Sequence, residues 1–338
     1  MNAATALLAD AAPRAPRAAQ GMYESYFLRA NHPSRPLAVW TKATVLKSAQ
    51  GESLQESWFA FFDGERQRTF AGKRTERLSA SFSTESPDAL VLNPCGATWT
   101  IAPQGQCKGS VDGASWDLSF ERLPGAVGEP RSFYPRKLIE GGFPRAKGVT
   151  PLPAMTALGE VEVFGETLSV AGWRGALGHN WGREHPRRHA WAQCVFPESA
   201  DNPASWVEAI TGSVKLAGPL ASPLLSTMIV QRGDESYRFD RIFDPWNQRA
   251  VIEDSHYTLE LFSDDGRAVL EVDGAGRPRV CLGYRDPTGA LGYCINTKLA
   301  RTTLRVEPRR GAPFTLHSEH GGALEFVQRE PVRGLEVV

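Results

Sequence analysis

Hydrophobic and polar positions alternate along many short stretches of this chain, and aromatic and β-branched residues are concentrated in them. Because strand side chains point to alternate faces, a period of two predicts half-buried β-strands. In the first half the predicted strands are residues 23–30, 37–46, 57–63, 68–75, 89–92, 98–102 and 115–122. In the second half they are residues 160–164, 167–171, 205–216, 226–232, 236–243, 257–262, 268–272, 279–284, 292–306, 314–318 and 323–328. The pattern predicts no convincing helix.

Turn-forming pairs such as Asp63-Gly64 and Asp112-Gly113 separate these strands. A strand every ten residues or so is typical of a sandwich or a barrel. Two β-rich halves of similar size fit two barrel-like domains in tandem, and glycine and proline are dense between Pro124 and Pro153. We therefore predict a disordered tail at residues 1–20, an N-terminal β domain at 21–150 and a C-terminal β domain at 151–338.

Residues 172–196 hold three of the seven histidines and three of the nine tryptophans. The pattern predicts a strand through residues 173–182, a polar loop containing Pro186, and a second strand at 189–196 that pairs with the first as a hairpin. Two registers are open. In one, Asn180 faces Trp191; in the other, slipped by one residue, His179 faces Trp191.

The same stretch contains Gly175, Gly178 and Gly182. Glycines within a strand indicate close approach of another backbone or of a ligand, a bulge, or a sharp bend.

Composition narrows the functional classes. Thirty-eight basic and 38 acidic residues give no net charge, which argues against a general nucleic-acid binder. The cysteine count is odd and no CxxC spacing occurs, so reduced thiols in a cytoplasmic protein are the simplest interpretation. The first residues lack the basic region and the apolar run of a signal peptide.

No apolar run reaches the ~18 residues of a spanning helix. The nearest stretch, residues 216–230, carries no charge but includes Pro219 and Pro223. It is interpreted as an apolar loop at a cavity mouth, as a peripheral membrane contact or, preferably, as a buried connection followed by a strand.

Three passages share short motifs with one family: residues 23–30 (YESYFLRA) with 38–42 (AVWTK), residues 147–153 (KGVTPLP) with 159–161 (GEV), and residues 178–182 (GHNWG). They resemble the hydroxyneurosporene synthase (carotenoid 1,2-hydratase) and AttH-like proteins, which are relatives of tocopherol cyclase. The resemblance implies two lipocalin-like barrels or half-barrels in tandem and a carrier or converter of isoprenoid-type molecules without a cofactor. It also draws attention to His179, Asn180, Trp181 and Gly182.

Adding water to an isoprenoid double bond, or cyclising it, requires protonation of an alkene. The site then needs an acid kept protonated by apolar surroundings and aromatic faces that stabilise a carbocation. Candidate acids are Glu24, Glu184 and Glu208, although a strand glutamate is more often exposed or paired with arginine. His179 and Asn180 are expected to orient a polar group or water; the alternative is that they are structural polar groups of a sheet.

The expected ligand is a hydrophobic isoprenoid-like or polyketide-like small molecule, and the aromatic residues expected to bind it are Tyr26, Trp40, Trp181, Trp191 and Trp206. A protein with the same cavity and no catalysis, a carrier, is the rival hypothesis. We predict no cofactor and no metal site: the three histidines near Glu184 do not form HExxH, and Pro186 and two arginines disfavour a cation. GxSxG, Walker and GxGxxG motifs are absent.

Overall fold

A computed structural model describes residues 3–14, 20–78, 81–125, 131–132, 136–199, 202–213, 222–241, 245–253, 255–332 and 334–338. Its elements are mostly antiparallel strands, as the alternating pattern predicts. They form two sheets, here called sheet A and sheet B.

Sheet A has the strand order β4-β3-β2-β1-β12-β11-β9-β8-β7-β6-β5, with β10 also paired to β11. Its elements, and the two helices, are α1 (Ala3–Ala11), β1 (Met22–Asn31), β2 (Leu37–Lys47), β3 (Ser53–Asp63), β4 (Arg68–Arg77), β5 (Ser83–Glu85), β6 (Leu90–Leu92), β7 (Ala97–Ile101), β8 (Gln104–Val111), β9 (Ala114–Arg122), β10 (Arg131–Ser132), α2 (Arg136–Glu140), β11 (Ala146–Val163) and β12 (Glu166–Gly182).

Sheet B has the order β16-β15-β14-β13-β22-β21-β19-β18-β17, with β20 also paired to β21. Its strands are β13 (His189–Phe196), β14 (Ser205–Gly212), β15 (Leu225–Arg232), β16 (Glu235–Phe239), β17 (Gln248–Glu253), β18 (His256–Ser263), β19 (Gly266–Asp273), β20 (Val280–Arg285), β21 (Leu291–Pro308) and β22 (Phe314–Gln328); a 3-10 turn spans Pro245–Asn247.

Buried side chains form one core inside each sheet and a third between the two sheets. In β1, alternation sends Tyr26 and Leu28 into the core of sheet A and Phe27 into the core between the sheets. Both faces of the central strands are therefore buried, which is why β2 is buried throughout. The architecture confirms the prediction of tandem lipocalin-like β domains.

The expected domain boundary at residues 150 and 151 falls inside β11, and the chain passes from sheet A to sheet B between β12 and β13. Pro151 and Pro153 had suggested a connection. They lie where the β11–β12 register shifts, between Val149 and Met155, because a proline cannot donate to the ladder and is accommodated at an irregularity. These two prolines therefore mark an irregular region within one long strand of sheet A.

Within the segment predicted as a disordered tail, Ala3–Ala11 forms α1. Leu7 and Ala11 are buried in the core of sheet A, so an apolar face orders this helix. The sequence pattern also missed β5, β8, β10 and β17, and it divided β22 into two strands.

The predicted hairpin of residues 173–196 is wrong. β12 pairs with β1 and β11, whereas β13 pairs with β14 and β22. His179 lies opposite Tyr26 and Val149, so neither register considered for Trp191 occurs. Close approach at the glycines is confirmed, because a Cβ on Gly175 would meet a backbone oxygen of Arg29 and one on Gly178 the ring of Phe27.

None of the helices that the structure describes is long and apolar enough to span a bilayer. The last residues of the strands predicted at 205–216 and 236–243, and the first part of the apolar stretch 216–230, lie outside the described residues. The end of that stretch is β15, as the buried alternative predicted.

Candidate active site between the two sheets

A cavity of about 110 Å³ lies between the outer face of sheet A and the facing surface of sheet B. Its aromatic wall comprises Tyr23, Phe27, Trp40, Trp191 and Tyr284. Its polar wall includes Ser25, Lys42, Thr150, Asn180, His185, His189, Glu208 and Glu325. The cavity thus combines the apolar surface of a ligand pocket with several convergent polar groups.

Glu208 is the most unusual of these groups, because its carboxyl is almost fully buried at 1% exposure. Thr150 Oγ1 and Trp191 Nε1 both donate to Oε1, at 2.7 and 2.9 Å. Oε2 makes no hydrogen bond to any residue that the structure describes. Burial raises the pKa of Glu208 to about 7, and the two donors and Arg29 only partly offset it.

Two lysines bring positive charge to the same region. Lys298 Nζ lies 2.6 Å from Glu325 Oε1, which also accepts from Asn296 Nδ2 at 3.0 Å. Lys42 Nζ lies 3.8 Å from the centroid of the Tyr284 ring. Burial lowers the pKa of both lysines, although Glu325 counteracts it.

Two histidines line the cavity and differ in their partners. His185 Nδ1 lies 2.7 Å from Asp286 Oδ1, and its ring stacks on Tyr23 at 4.0 Å. His189 Nδ1 makes no hydrogen bond among the described residues. Burial lowers the pKa of His189 to about 4, so this imidazole is neutral at pH 7 and can accept a proton.

Arg29 links the two sheets beside the cavity. It is fully buried, and its guanidinium donates to Oε1 of Gln193 and to Asn31 Oδ1. Gln193 in turn donates to the carbonyl of Pro153 at 2.7 Å. These contacts fix β13 against β1 and β11, so the cavity walls come from elements held in a defined arrangement.

The residues predicted for the site separate into two groups. Asn180, Glu208, Trp40 and Trp191 line the cavity. Trp206 is buried between the sheets but does not line it.

Side chains on the opposite face of β1 and β12 do not reach the cavity. His179, Tyr26 and Trp181 lie on the inner side of sheet A, where the His179 ring stacks on Tyr26 at 4.2 Å and lies 4.9 Å from Trp181. Alternation explains the separation of His179 from its neighbour Asn180. Glu184 lies in the loop after β12 and faces Arg145 at 3.5 Å.

His179 closes a polar cluster beneath α1. Its Nε2 lies 2.8 Å from Glu24 Oε1 and its Nδ1 lies 3.0 Å from the carbonyl of Asp10. The carbonyl only accepts, so Nδ1 carries a proton, and Nε2 and Glu24 share a second one. Tyr26 and the backbone N–H of Arg14 complete the cluster.

Lys42, Lys298, Glu325 and Tyr284 were not predicted as site residues. A signal was present for Lys42, which lies among the mostly apolar residues of β2; β21 carries several other charged residues, so its sequence does not single out Lys298. Alternation places Lys42 on the same face as Trp40, but it does not indicate which distant strand packs over that face.

In the part of the chain that the structure describes, no three His, Cys, Asp or Glu side chains are placed to hold a metal ion. Of the three histidines considered for such a site, His185 and His189 line the cavity, and His179 lies beneath α1. All five cysteines are buried and free.

No family model matches the chain. An uncharacterized protein present in two strains of Mycobacterium tuberculosis is 22% identical over 307 residues, which cover 90% of this chain and 88% of that protein. Among solved structures, a Nitrosomonas europaea protein described as an AttH superposes with a TM-score of 0.53 at 10% identity, covering 94% of this chain and 95% of the other. Kievitone hydratase from Nectria haematococca superposes with a TM-score of 0.54 at 13% identity, covering 93% of this chain and 90% of that one. These likenesses establish an AttH-like and hydratase-like fold.

Proposed function

We propose that this protein is a hydratase that adds water to a carbon–carbon double bond of a hydrophobic small molecule, of isoprenoid-like or polyketide-like character, in the cavity between the sheets. The observation that carries the proposal is Glu208. A carboxyl with a pKa of about 7 is substantially protonated at neutral pH, and Oε2 has no competing hydrogen bond among the described residues. The fold shared with kievitone hydratase supports the same reaction class.

The proton begins on Oε2, because both donors from the protein are directed at Oε1. Its transfer to one alkene carbon leaves a carbocation on the other, and the faces of Trp40 and Trp191 stabilise that cation. Water then forms the new carbon–oxygen bond. Its released proton passes to neutral His189 and returns to Glu208 through solvent, so the net change is addition of one water molecule.

Asn180 is proposed to orient the attacking water, as an amide that both donates and accepts. If a second double bond of the substrate reaches the cation first, the same acid produces a cyclisation. No step requires a cofactor.

The alternative is a carrier that binds the same molecule without changing it. A carrier needs only an apolar cavity, whereas this one includes Lys42, His189 and Glu208. Burying ionisable groups is unfavourable, and their presence in the wall therefore favours catalysis.

The test uses the lipophilic compound that co-purifies with the protein, identified by mass spectrometry. The purified protein is incubated with that compound in water labelled with heavy oxygen. The proposal expects a product that has gained one labelled water, formed by the wild type and not by Glu208→Gln. If saturated wild-type protein returns the ligand unchanged, and neither addition nor loss of water is detected, the protein is a carrier.

A further inference from the structure

β17 (Gln248–Glu253) is the last strand of sheet B, and among the residues that the structure describes only β18 pairs with it. An outer strand presents backbone groups that another chain can pair with, and short length or dense charge normally prevents this. In sheet A the outer strands have such protection: β5 has three residues, and five of the ten residues of β4 are charged. The centre of β17 is apolar, with Ala250, Val251 and Ile252 in succession.

Apolar side chains are also exposed around this strand. Val251 is 48% exposed, Trp246 in the turn before β17 is 92% exposed, and Phe262 in β18 is 37% exposed. These are three of the eight large apolar side chains that are exposed in the described part of the chain. Scattered exposed residues need no explanation, whereas several within one hairpin and its preceding turn indicate an interaction surface.

One contact shows which backbone groups of β17 face its free edge. Arg188 Nη2 donates to the carbonyl oxygen of Ile252 at 3.4 Å, so this carbonyl points away from β18. Backbone groups alternate in direction along a strand, so the even-numbered residues of β17 present theirs outwards and the odd-numbered residues bond to β18. A second copy presents the same groups. In an antiparallel pair about a two-fold axis, the axis then passes between one residue of β17 and its own copy.

The sequence of β17 favours one of these registers. With the axis at Val251, Arg249 lies opposite Glu253 of the second copy, and the symmetry repeats this pair on the other side. The same register places Ala250 opposite Ile252. With the axis at Ala250 or at Ile252, one of the two charged residues lies opposite Val251 instead. Opposite charges across a strand pair are stabilising, so only the register centred on Val251 is self-complementary.

The two charged side chains are available for such pairs. The Arg249 side chain is 82% exposed, and its nearest carboxylate, Glu260 at 3.6 Å, is already bound by Arg267 at 2.7 Å. Glu253 is exposed on the same face of β17. In the added ladder both would belong to pairs without backbone hydrogen bonds, in which side chains lie closest together.

We propose that β17 pairs with β17 of a second copy of this chain, so that sheet B continues across a two-fold axis at Val251. The outward groups of Ala250 and Ile252 then form backbone hydrogen bonds between the copies. The exposed Arg188 side chain gives up its single bond to Ile252. This inference concerns assembly and is independent of the reaction in the cavity.

The test measures molecular mass by light scattering during size-exclusion chromatography, over a range of protein concentrations. Wild-type protein is expected to have twice the 37.0 kDa of one chain. Arg249→Glu places two carboxylates opposite each other twice per dimer, and Glu253→Arg does the same with two guanidinium groups. In each variant the dissociation constant of the dimer should rise by about tenfold or more.

The two variants also test the register. Mixed in equal amounts they should associate, because Glu at 249 then faces Arg at 253 and Arg249 faces Glu253. The double variant Arg249→Glu with Glu253→Arg should dimerise like the wild type. Arg77→Glu is the matched control: it reverses an exposed charge on β4, the outer strand of sheet A, and should leave the dimer intact.

Circular dichroism verifies the fold of each variant. If Arg249→Glu does not fold, Val251→Lys tests the same axis, because it brings two ammonium groups together at the centre of the interface.

The inference is overturned if wild-type protein has the mass of one chain at every concentration. It is also overturned if the dimer is as stable in both single variants as in the wild type, or if their mixture associates no better than either alone. Monomeric wild type that sediments with vesicles of phosphatidylcholine and phosphatidylserine overturns it as well, because the exposed apolar side chains would then contact a membrane.

Discussion

Two buried glutamates of this protein, Glu24 in sheet A and Glu208 in sheet B, differ in the hydrogen-bond partners of their carboxyl groups. Glu24 is 3% exposed and Glu208 is 1% exposed, and each lies beside an aromatic side chain. Glu24 shares a proton with His179 and accepts from Tyr26 and Arg14. Among the residues that the structure describes, Glu208 has only two donors, both neutral and both on one oxygen.

The difference separates a structural carboxylate from a reactive one. A proton shared between Glu24 and His179 is held by two basic groups, and α1 covers it. The proton of Glu208 lies on an oxygen that has no hydrogen-bond partner among the described residues, and the residue lines a cavity. Burial alone thus does not make a proton donor; burial of a carboxyl whose proton is not shared with a hydrogen-bonded base does.

The largest expected effect is on turnover. Replacing Glu208 with Gln keeps an oxygen for Thr150 and Trp191 but removes the transferable proton. General-acid catalysis contributes roughly 10²–10⁴-fold, so kcat should fall by that factor while binding of the hydrophobic ligand is retained. The measurement is product formation under single-turnover conditions.

Glu121→Gln, at an exposed position of β9, serves as the control and should leave kcat unchanged. A Glu208→Gln variant that turns over at the wild-type rate would show that another group supplies the proton. The contrast with Glu24 would then not distinguish a reactive carboxyl from a structural one.

The second prediction concerns stability. His179→Phe keeps a ring against Tyr26 but removes the imidazole that binds Glu24 and the carbonyl of Asp10. Breaking a buried pair by removing one partner costs about 3–5 kcal/mol, and urea unfolding should report a loss of that size. Glu24→Gln is the matched variant, because its amide can donate to a neutral His179, and it should lose about 1 kcal/mol. Equal losses would contradict the proposed sharing of a proton.

A third prediction uses the pH dependence of stability. The folded pKa of Glu208, about 7, lies above the usual pKa of a glutamate, 4.5, so the folded state holds this proton more tightly than the unfolded state. Its stabilising effect is complete below pH 4.5 and is lost as the pH rises through 7. The total is about 3 kcal/mol.

The measurement is the difference in free energy of unfolding between wild type and Glu208→Gln, followed from pH 4 to 8. His189 titrates in the opposite sense, because its lowered pKa destabilises the fold as pH falls from 6.5 through about 4. It contributes equally to both proteins and cancels in the difference. A difference independent of pH would mean that Glu208 has an ordinary pKa.

Period-two alternation was sufficient to predict most strands, because it is a local property of the chain. Residue type was sufficient to name Trp40, Trp191 and Glu208 as candidates, two aromatic rings and an acid, and all three line the cavity. It failed where the outcome depends on partners distant in sequence. His179 and Asn180 are adjacent, yet the packing of both faces of β12 sends one beneath α1 and the other into the cavity. Pro151 and Pro153 indicated a break, and only pairing with β12 shows that the strand continues.

The smallest effect concerns the single hydrogen bond between Trp191 Nε1 and Glu208 Oε1. Trp191→Phe removes a donor that favours the carboxylate, and hydrogen bonds to charged groups contribute about 1.5–3 kcal/mol. The pKa of Glu208 should therefore rise further, and the alkaline limb of the pH profile of turnover should move up by about one pH unit.

Trp40→Phe is the control. It replaces an indole of the same cavity with a smaller ring, but Trp40 Nε1 has no hydrogen-bond partner among the described residues. The Trp40 variant should lower the rate without moving the limb, and a matching shift in both variants would assign the change to altered packing of the cavity and not to the lost donor.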